Sequence, residues 1–193
     1  MLQTEEVLDR FRKSGALLEG HFVLTSGLHS PNYLQCALLL QQPKMAEEFG
    51  SAIAEHFRHE GIQLVASPAI GGIVIGHEVA RALGARFIWT ERDNGRMVLK
   101  RGFSVKPGER TLVVEDVLTT GGSTRETVET IQMLGAQVVA AASIIDRSGG
   151  TANVGVSRIA LATLNVPAID PSLCELCKRG EPAIKPGSRK GKE

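Results

Sequence analysis

The stretch "LVVEDVLTTGGST", residues 112–124, decides the fold. It reads as an apolar, β-branched run, two adjacent acids, and a glycine- and hydroxyl-rich loop leading into the helix-forming "RETVETIQML". A strand apolar on both faces belongs in a sheet covered on both sides, which in turn implies parallel strands joined by helical crossovers.

Working outward, the same alternation recurs. "QLVASPA", "RFIWTER", "QVVAAASIIDR" and "RIALATLNV" read as further short strands. Helices fall between them: Pro43 opens one whose Met45, Phe49, Ile53 and Phe57 repeat every four residues, and Gly61 stops it. "GGIVIGHEVARALG" gives a second, ended by Gly84, and Thr124 to Leu134 a third, ended by Gly135. Thr4 caps an opening helix through Ser14, and "HFVLTSGLHSPNYLQCALLL" reads as two extended pieces around "SGLHSP". "NGRMVLKRGFSVKPGE" resembles a hairpin arm, with turns at Asn94-Gly95 and Pro107-Gly108. The fold class is α/β: a central, mostly parallel sheet flanked by helices, with a small N-terminal hood. We expect a single domain over 1–193, made of helix and hood (1–42), α/β core (43–170) and C-terminal segment (171–193).

Composition narrows the function classes. The chain has 193 residues, 42% hydrophobic and 22% charged, with a formal net charge of +1. Such a balance gives no whole-molecule field toward nucleic acid or anionic lipid. No apolar run reaches the ~20 residues of a membrane span. The amphipathic N-terminus lacks a signal peptide's apolar centre, and three cysteines do not make a secreted disulfide framework. The expected location is the cytoplasm.

In a parallel sheet, ligands bind beyond the carboxyl ends of the strands. Four strands end in "SPAIGG", "TERDNGR", "EDVLTTGGST" and "DRSGG". Right-handed crossovers bring all four to one edge. Between strand and helix, Thr119, Thr120, Gly121, Gly122 and Ser123 form an anion cradle: backbone N–H groups and hydroxyls converge at a helix start. Glu115 and Asp116 repel a phosphate, so they suit sugar hydroxyls or a metal shell, and a sugar phosphate fits both halves. Ser123 and Glu126 also read as an S-x-x-E capping box that needs no ligand. Neither G-x-x-x-x-G-K-[ST] nor G-x-G-x-x-G is present, which excludes a Walker loop and leaves a dinucleotide fold without its fingerprint.

The acids followed by V-L-T-T-G-G-S resemble the phosphoribosyl diphosphate (PRPP) signature of type I phosphoribosyltransferases. "FVLTSGLHSPNYLQ", "ERDNGRMVLKRGF" and "IIDRSGG" are similar to blocks of orotate phosphoribosyltransferases. The resemblance spans roughly Gly20 to Gly150, plus "KPGSR", and everything in this paragraph is what it implies. The activity is transfer of ribose 5-phosphate from PRPP to N1 of orotate, within pyrimidine (UMP) biosynthesis. Glu115 and Asp116 hold the ribose diol, and Val117 to Ser123, with Leu118 and Thr119 between, line the PRPP site. The loop Pro68 to Gly72 lines the diphosphate. Thr119, Arg147, Ser26, Gly27 and Tyr33 face orotate. Arg92, Arg96 and Lys100 are the catalytic cations, on an arm (91–103) that reaches into the partner's site of a homodimer. Mg²⁺ travels with PRPP near Glu115 and Asp116, with no residue assigned as a direct metal ligand. The chain departs from the family pattern at Thr25, where lysine is common, and in an arm with fewer lysines.

Two other readings stay open: a purine phosphoribosyltransferase, and an RNA-binding regulator on the same fold. The near-zero net charge disfavours the second, and Arg147, a natural carboxylate partner, disfavours the first. The five histidines show no metal-ligand spacing, and His56 and His59 read as solvated or packed helix residues. Cys174-x-x-Cys177 is half a zinc site, with Cys36 at most a third ligand, so reduced thiols are expected there. The basic tail reads as a solvated end.

Overall fold

A computed structural model describes residues 2–24, 26–164 and 166–186. The elements run α1 (Thr4–Lys13), β1 (Leu17–Val23), β2 (His29–Leu34), α2 (Cys36–Leu40), α3 (Pro43–Glu55), β3 (Leu64–Pro68), α4 (Gly72–Leu83), β4 (Arg86–Asp93), β5 (Arg96–Leu99), β6 (Arg110–Leu118), α5 (Gly122–Met133), β7 (Gln137–Asp146) and β8 (Arg158–Thr163). A 3-10 turn (Pro171–Leu173) and the short α6 (Glu175–Lys178) follow.

The main sheet has the order β5-β4-β3-β6-β7-β8. All its pairs are parallel except β4–β5. Alternation along the central strands sorts side chains onto two faces. Val65, Leu112 and Val114 join Phe49, Ile53, Ile75 and Val79 of α3 and α4 in one core. Leu64, Ala66 and Val113 meet Val128 and Ile131 of α5 in the other. This two-sided burial is why β6 reads as a continuous apolar run. The seam between α4 and β3 is tight: a Cβ on Gly76 would sit 2.0 Å from Ser67 Oγ, so no side chain fits there.

Antiparallel β1 and β2 form a separate two-stranded ribbon, the hood. The C-terminal segment is zipped to it, since Ile184 bonds through its backbone to His21 and Val23, and Ile169 exchanges two bonds with His29. Among the described residues, no helix is long and apolar enough to cross a membrane.

Four local expectations change. Gln3, not Thr4, caps α1, in a reciprocal box with Glu6; the glutamine amide serves where a hydroxyl was expected. "CALLL" is the helix α2 rather than an extended piece, because Cys36, Leu39 and Leu40 turn one helical face into the core. The third helix starts at Gly122, with Gly121 as its N-cap and no side-chain cap bond. The Ser123–Glu126 capping box is therefore absent, and Glu126 instead pairs with Arg92 at 3.0 Å. Gly61 is not the immediate stop of α3, which ends at Glu55 and runs through turns before Gly61. The Asn94-Gly95 hairpin turn forms as expected, with both residues at positive φ (47° and 81°) and Asp93 opposite Arg96. Thr25 and the end of the basic tail, from Gly187, lie outside the described residues.

Candidate active site

Each feature of the site follows from where a strand stops. β6 carries Glu115 and Asp116 to the carboxyl edge, and the chain then turns through Thr119–Gly121 into α5. Gly121 makes that turn with φ 79°, and a Cβ there would lie 3.0 Å from Val154. Gly122 is an ordinary helical residue, so only one of the paired glycines is required by conformation. Leu118 is buried beneath the turn while Thr119, Thr120 and Ser123 are exposed. Together with Glu115, Val117, both glycines and Thr124 they line a cup of about 80 Å³.

Glu115 is 8% exposed, and burial first, then Asp116, holds its pKa well above the usual carboxylate range. Thr124 Oγ1 donates to it at 3.5 Å. Asp116 accepts the Val117 N–H at 2.9 Å. The loop after β3 comes up against this pair. A Cβ on Gly71 would lie 2.7 Å from Asp116 Oδ1, and one on Gly72 would lie 3.3 Å from Glu115 Oε1. The glycines of "PAIGG" thus leave open the space beside the two acids.

A second cavity, about 570 Å³, opens between the hood and the sheet edge. Its polar lining comes from Ser26, Tyr33, Gln35, Asp116, Thr119, Thr120 and Arg147. Val117, Thr119 and Thr120 line both cavities, which makes them neighbours across one shared wall. Gly27 does not line the cavity; at φ 84° it makes the turn that presents Ser26 and Leu28.

Arg147 is half-buried, and desolvation lowers its pKa although Tyr33 and Cys36 oppose the shift. Its Nε is buried without a hydrogen-bond partner. Among the described residues no carboxylate pairs with it, so the side chain is not spent on a salt bridge.

Sequence reasoning missed what holds Arg147 in place. Asp146, fully buried, accepts from Ser148 N (2.7 Å) and Ser148 Oγ (2.6 Å) and pairs with Arg158 at 2.5 Å. Burial alone would raise its pKa, but these partners outweigh that and leave it lowered. The acid beside the arginine in "IIDRSGG" was the available signal.

The arm lies apart from these cavities within a single chain. Pairing of β3 with β4 ends at Pro68–Thr90, so the hairpin from Glu91 onward projects past the neighbouring strand. Arg92 pairs with Glu126, Lys100 with Asp93 at 3.0 Å, and Arg101 with Glu91. Arg96 is exposed and without an ion pair among the described residues. Lys100 follows the end of β5 rather than sitting in it, so strand parity does not set its face as expected. None of Arg92, Arg96 and Lys100 lines either cavity.

The metal reading needs correction. His21, His29, Cys174 and Cys177 come together, each ligand atom within 4.8 Å of the others. Cys36 is not among them; it is buried in the wall of the large cavity. Spacing hid the cluster because its halves are 153 residues apart in the chain.

The phosphoribosyl transferase domain family matches residues 37–159. An orotate phosphoribosyltransferase from Desulforamulus reducens is 51% identical over 97% of this chain and 98% of its own length. The chain belongs to the orotate phosphoribosyltransferases. Among solved structures, the orotate phosphoribosyltransferase of Aeropyrum pernix aligns with a TM-score of 0.67 at 26% identity, over 82% of this chain and 93% of that one. An adenine phosphoribosyltransferase from Rhodothermus marinus shares the fold at TM-score 0.64 and 19% identity, over 83% and 99%. The α/β fold is thus shared with a protein named for a different base.

Proposed function

We propose that this chain transfers ribose 5-phosphate from PRPP to N1 of orotate, giving orotidine 5-monophosphate and diphosphate. The observation that carries the reading is Arg147, an unpaired guanidinium in a base-sized cavity that shares a wall with a phosphate cup. A planar base bearing a carboxylate meets it with paired charged hydrogen bonds, each worth about 1.5–3 kcal/mol. A purine has no carboxylate to offer.

In this reading the cup binds the 5-phosphate through Thr119, Thr120, Gly121, Gly122 and Ser123. Glu115 and Asp116 accept from the ribose diol, and the 68–72 loop lines the diphosphate. Ser26 and Tyr33 cover the base beside Thr119 and Arg147. Orotate N1 attacks the anomeric carbon as the C1–diphosphate bond breaks; the electron pair leaves with diphosphate, and the N1 proton passes to water. Orientation and charge stabilisation do the work, with no covalent nucleophile. Arg92, Arg96 and Lys100 supply cations to the leaving group from the partner's arm in a homodimer. The projecting hairpin, with Arg96 unpaired, supports that role.

Glu115 and Asp116 offer only hard oxygen donors beside space that a Cβ at Gly71 would fill, which suits Mg²⁺. When bound, Mg²⁺ offsets the charge of the diphosphate. We place the protein in the cytoplasm, on a content of three cysteines, all of them free thiols.

The test follows orotate absorbance with PRPP and Mg²⁺, beside adenine, guanine, hypoxanthine and uracil assayed for diphosphate release. Consumption of orotate alone is the expected result. Release with another base in its place would overturn the assignment of the cavity.

A further inference from the structure

We propose that His21, His29, Cys174 and Cys177 bind one zinc ion that fastens the C-terminal segment to the hood. The four ligand atoms lie within 4.8 Å of one another. Cys174 Sγ is 3.5 Å from His21 Nε2, Cys177 Sγ is 3.7 Å from His21 Nε2 and 3.2 Å from His29 Nδ1, and the two nitrogens are 2.8 Å apart. Tetrahedral zinc with Zn–S of about 2.3 Å and Zn–N of about 2.0 Å gives N···S edges near 3.5 Å and N···N edges near 3.3 Å. The cluster has the size of that tetrahedron and needs only a small outward shift of the two rings.

Proton bookkeeping points the same way. His21 Nδ1 faces the Glu181 carbonyl at 2.8 Å, and a carbonyl can only accept. Nδ1 therefore carries the proton, and in the neutral ring Nε2 presents one lone pair. Three groups crowd on that lone pair: His29 Nδ1, Cys174 Sγ and Cys177 Sγ. One cation satisfies all four at once. A ligating histidine that donates its other N–H to a backbone carbonyl is also the usual outer-shell arrangement around zinc.

The site is closed, as a structural site should be. His21, His29 and Cys174 are 5%, 9% and 2% exposed, and Cys177 is half-buried. All four coordination positions come from protein, which leaves none for a substrate. On binding, the thiols of Cys174 and Cys177 lose their protons, so two thiolates and two neutral imidazoles balance the charge of Zn²⁺.

The location gives the ion its task. His21 and His29 sit on the two strands of the hood, and the cysteines sit on the segment whose residues Val166 and Ala168 line the base cavity. Outside the cluster, this segment meets the ribbon through isolated bridges at Phe22–Ile184 and His29–Ile169 and through the Glu181 carbonyl that accepts from His21.

The experiment uses the full-length chain without an affinity tag, purified under reducing conditions. Elemental analysis should find about one zinc per chain. The double variant C174S/C177S should lose it, while C36S keeps it. Cobalt exchanged into the wild-type chain should show the intense visible bands of a tetrahedral, thiolate-ligated ion, absent in the double variant. Chelation should open residues 166–186 to protease. Should the double variant fail to fold, the wild-type metal content and cobalt spectrum still decide. A zinc-free wild-type chain that takes up neither metal overturns the proposal. So does a Cys174–Cys177 disulfide in the reduced preparation, or metal retained in C174S/C177S. These readouts do not involve orotate, so they stand or fall apart from the catalytic reading.

Discussion

Glu115 is a charged group held against its own preference. Its carboxyl sits almost wholly out of water beside Asp116, and both burial and that neighbour raise its pKa. A folded state with a raised pKa binds the proton more tightly than the unfolded chain. Its contribution to stability is full below the unfolded value, about 4.3, and is lost as pH rises through the folded value. E115Q removes that loss. At neutral pH its thermal midpoint should exceed wild type by about 2–4 °C for each kcal/mol recovered, and the gap should close on acidification toward pH ~4. In the proposed reading the same change also removes a charged acceptor for the ribose, so kcat/KM for PRPP should fall roughly tenfold to a hundredfold. Paired melting curves and PRPP saturation curves check both halves. An unchanged midpoint with unchanged PRPP use would remove Glu115 from the site. That Glu115 and the loop after it share one cup was legible in the sequence because they are nearly consecutive. The Ser123–Glu126 box was misread at the same scale, because the competing partner, Arg92, lies 34 positions away.

At the scale of elements, strands set where side chains emerge and short loops hold them there. The loop after β7 is the clearest instance. Asp146 ties down Ser148, whose hydroxyl in turn accepts from Thr151 N and Ala152 N, and Arg158 closes the network from β8 with a bond to Ala152 O. Arg147 is thereby fixed on a rigid support. D146N leaves the half-buried Arg158 without its charge partner, which costs up to about 3–5 kcal/mol. Urea unfolding should show that loss near neutral pH. Because Asp146's pKa is lowered, the difference from wild type should shrink as pH falls through its folded value. The loop should also loosen, raising KM for orotate more than KM for PRPP. Equal rises would mean that Asp146 supports the fold without positioning Arg147. The core strands, their helical crossovers and the common edge were readable from apolar runs and glycines, whereas the strand order was not. The helix "CALLL" was not, since five residues carry too little periodicity to separate helix from strand. The Cys–His cluster was hidden for a different reason: two short motifs far apart in the chain meet only once the C-terminal segment lies against the hood.

Across the whole molecule, the arm cations Arg92, Arg96 and Lys100, which we propose serve the leaving group, line neither cavity of their own chain. Arg92 and Lys100 are tied to acids on or beside the arm, and Arg96 is exposed with no ion pair among the described residues. The arm projects past its neighbouring strand and packs Trp89 against Phe103 at its base, with ring centroids 4.6 Å apart. If it completes the site of a second copy, each active site draws its base cavity from one protomer and its cations from the other. R147A and K100A then damage different halves. Each variant alone should be nearly inactive. Mixed in equal amounts and allowed to exchange, random pairing puts half of the dimers in mixed form. Each mixed dimer holds one site with both halves intact and one with neither, so activity should recover to about a quarter of wild type. Size-exclusion chromatography with light scattering establishes the dimer, and the mixing assay reads the sharing. Recovery to that level requires the arm to act in trans. Dimers that exchange without any recovery would return the arm to its own protomer.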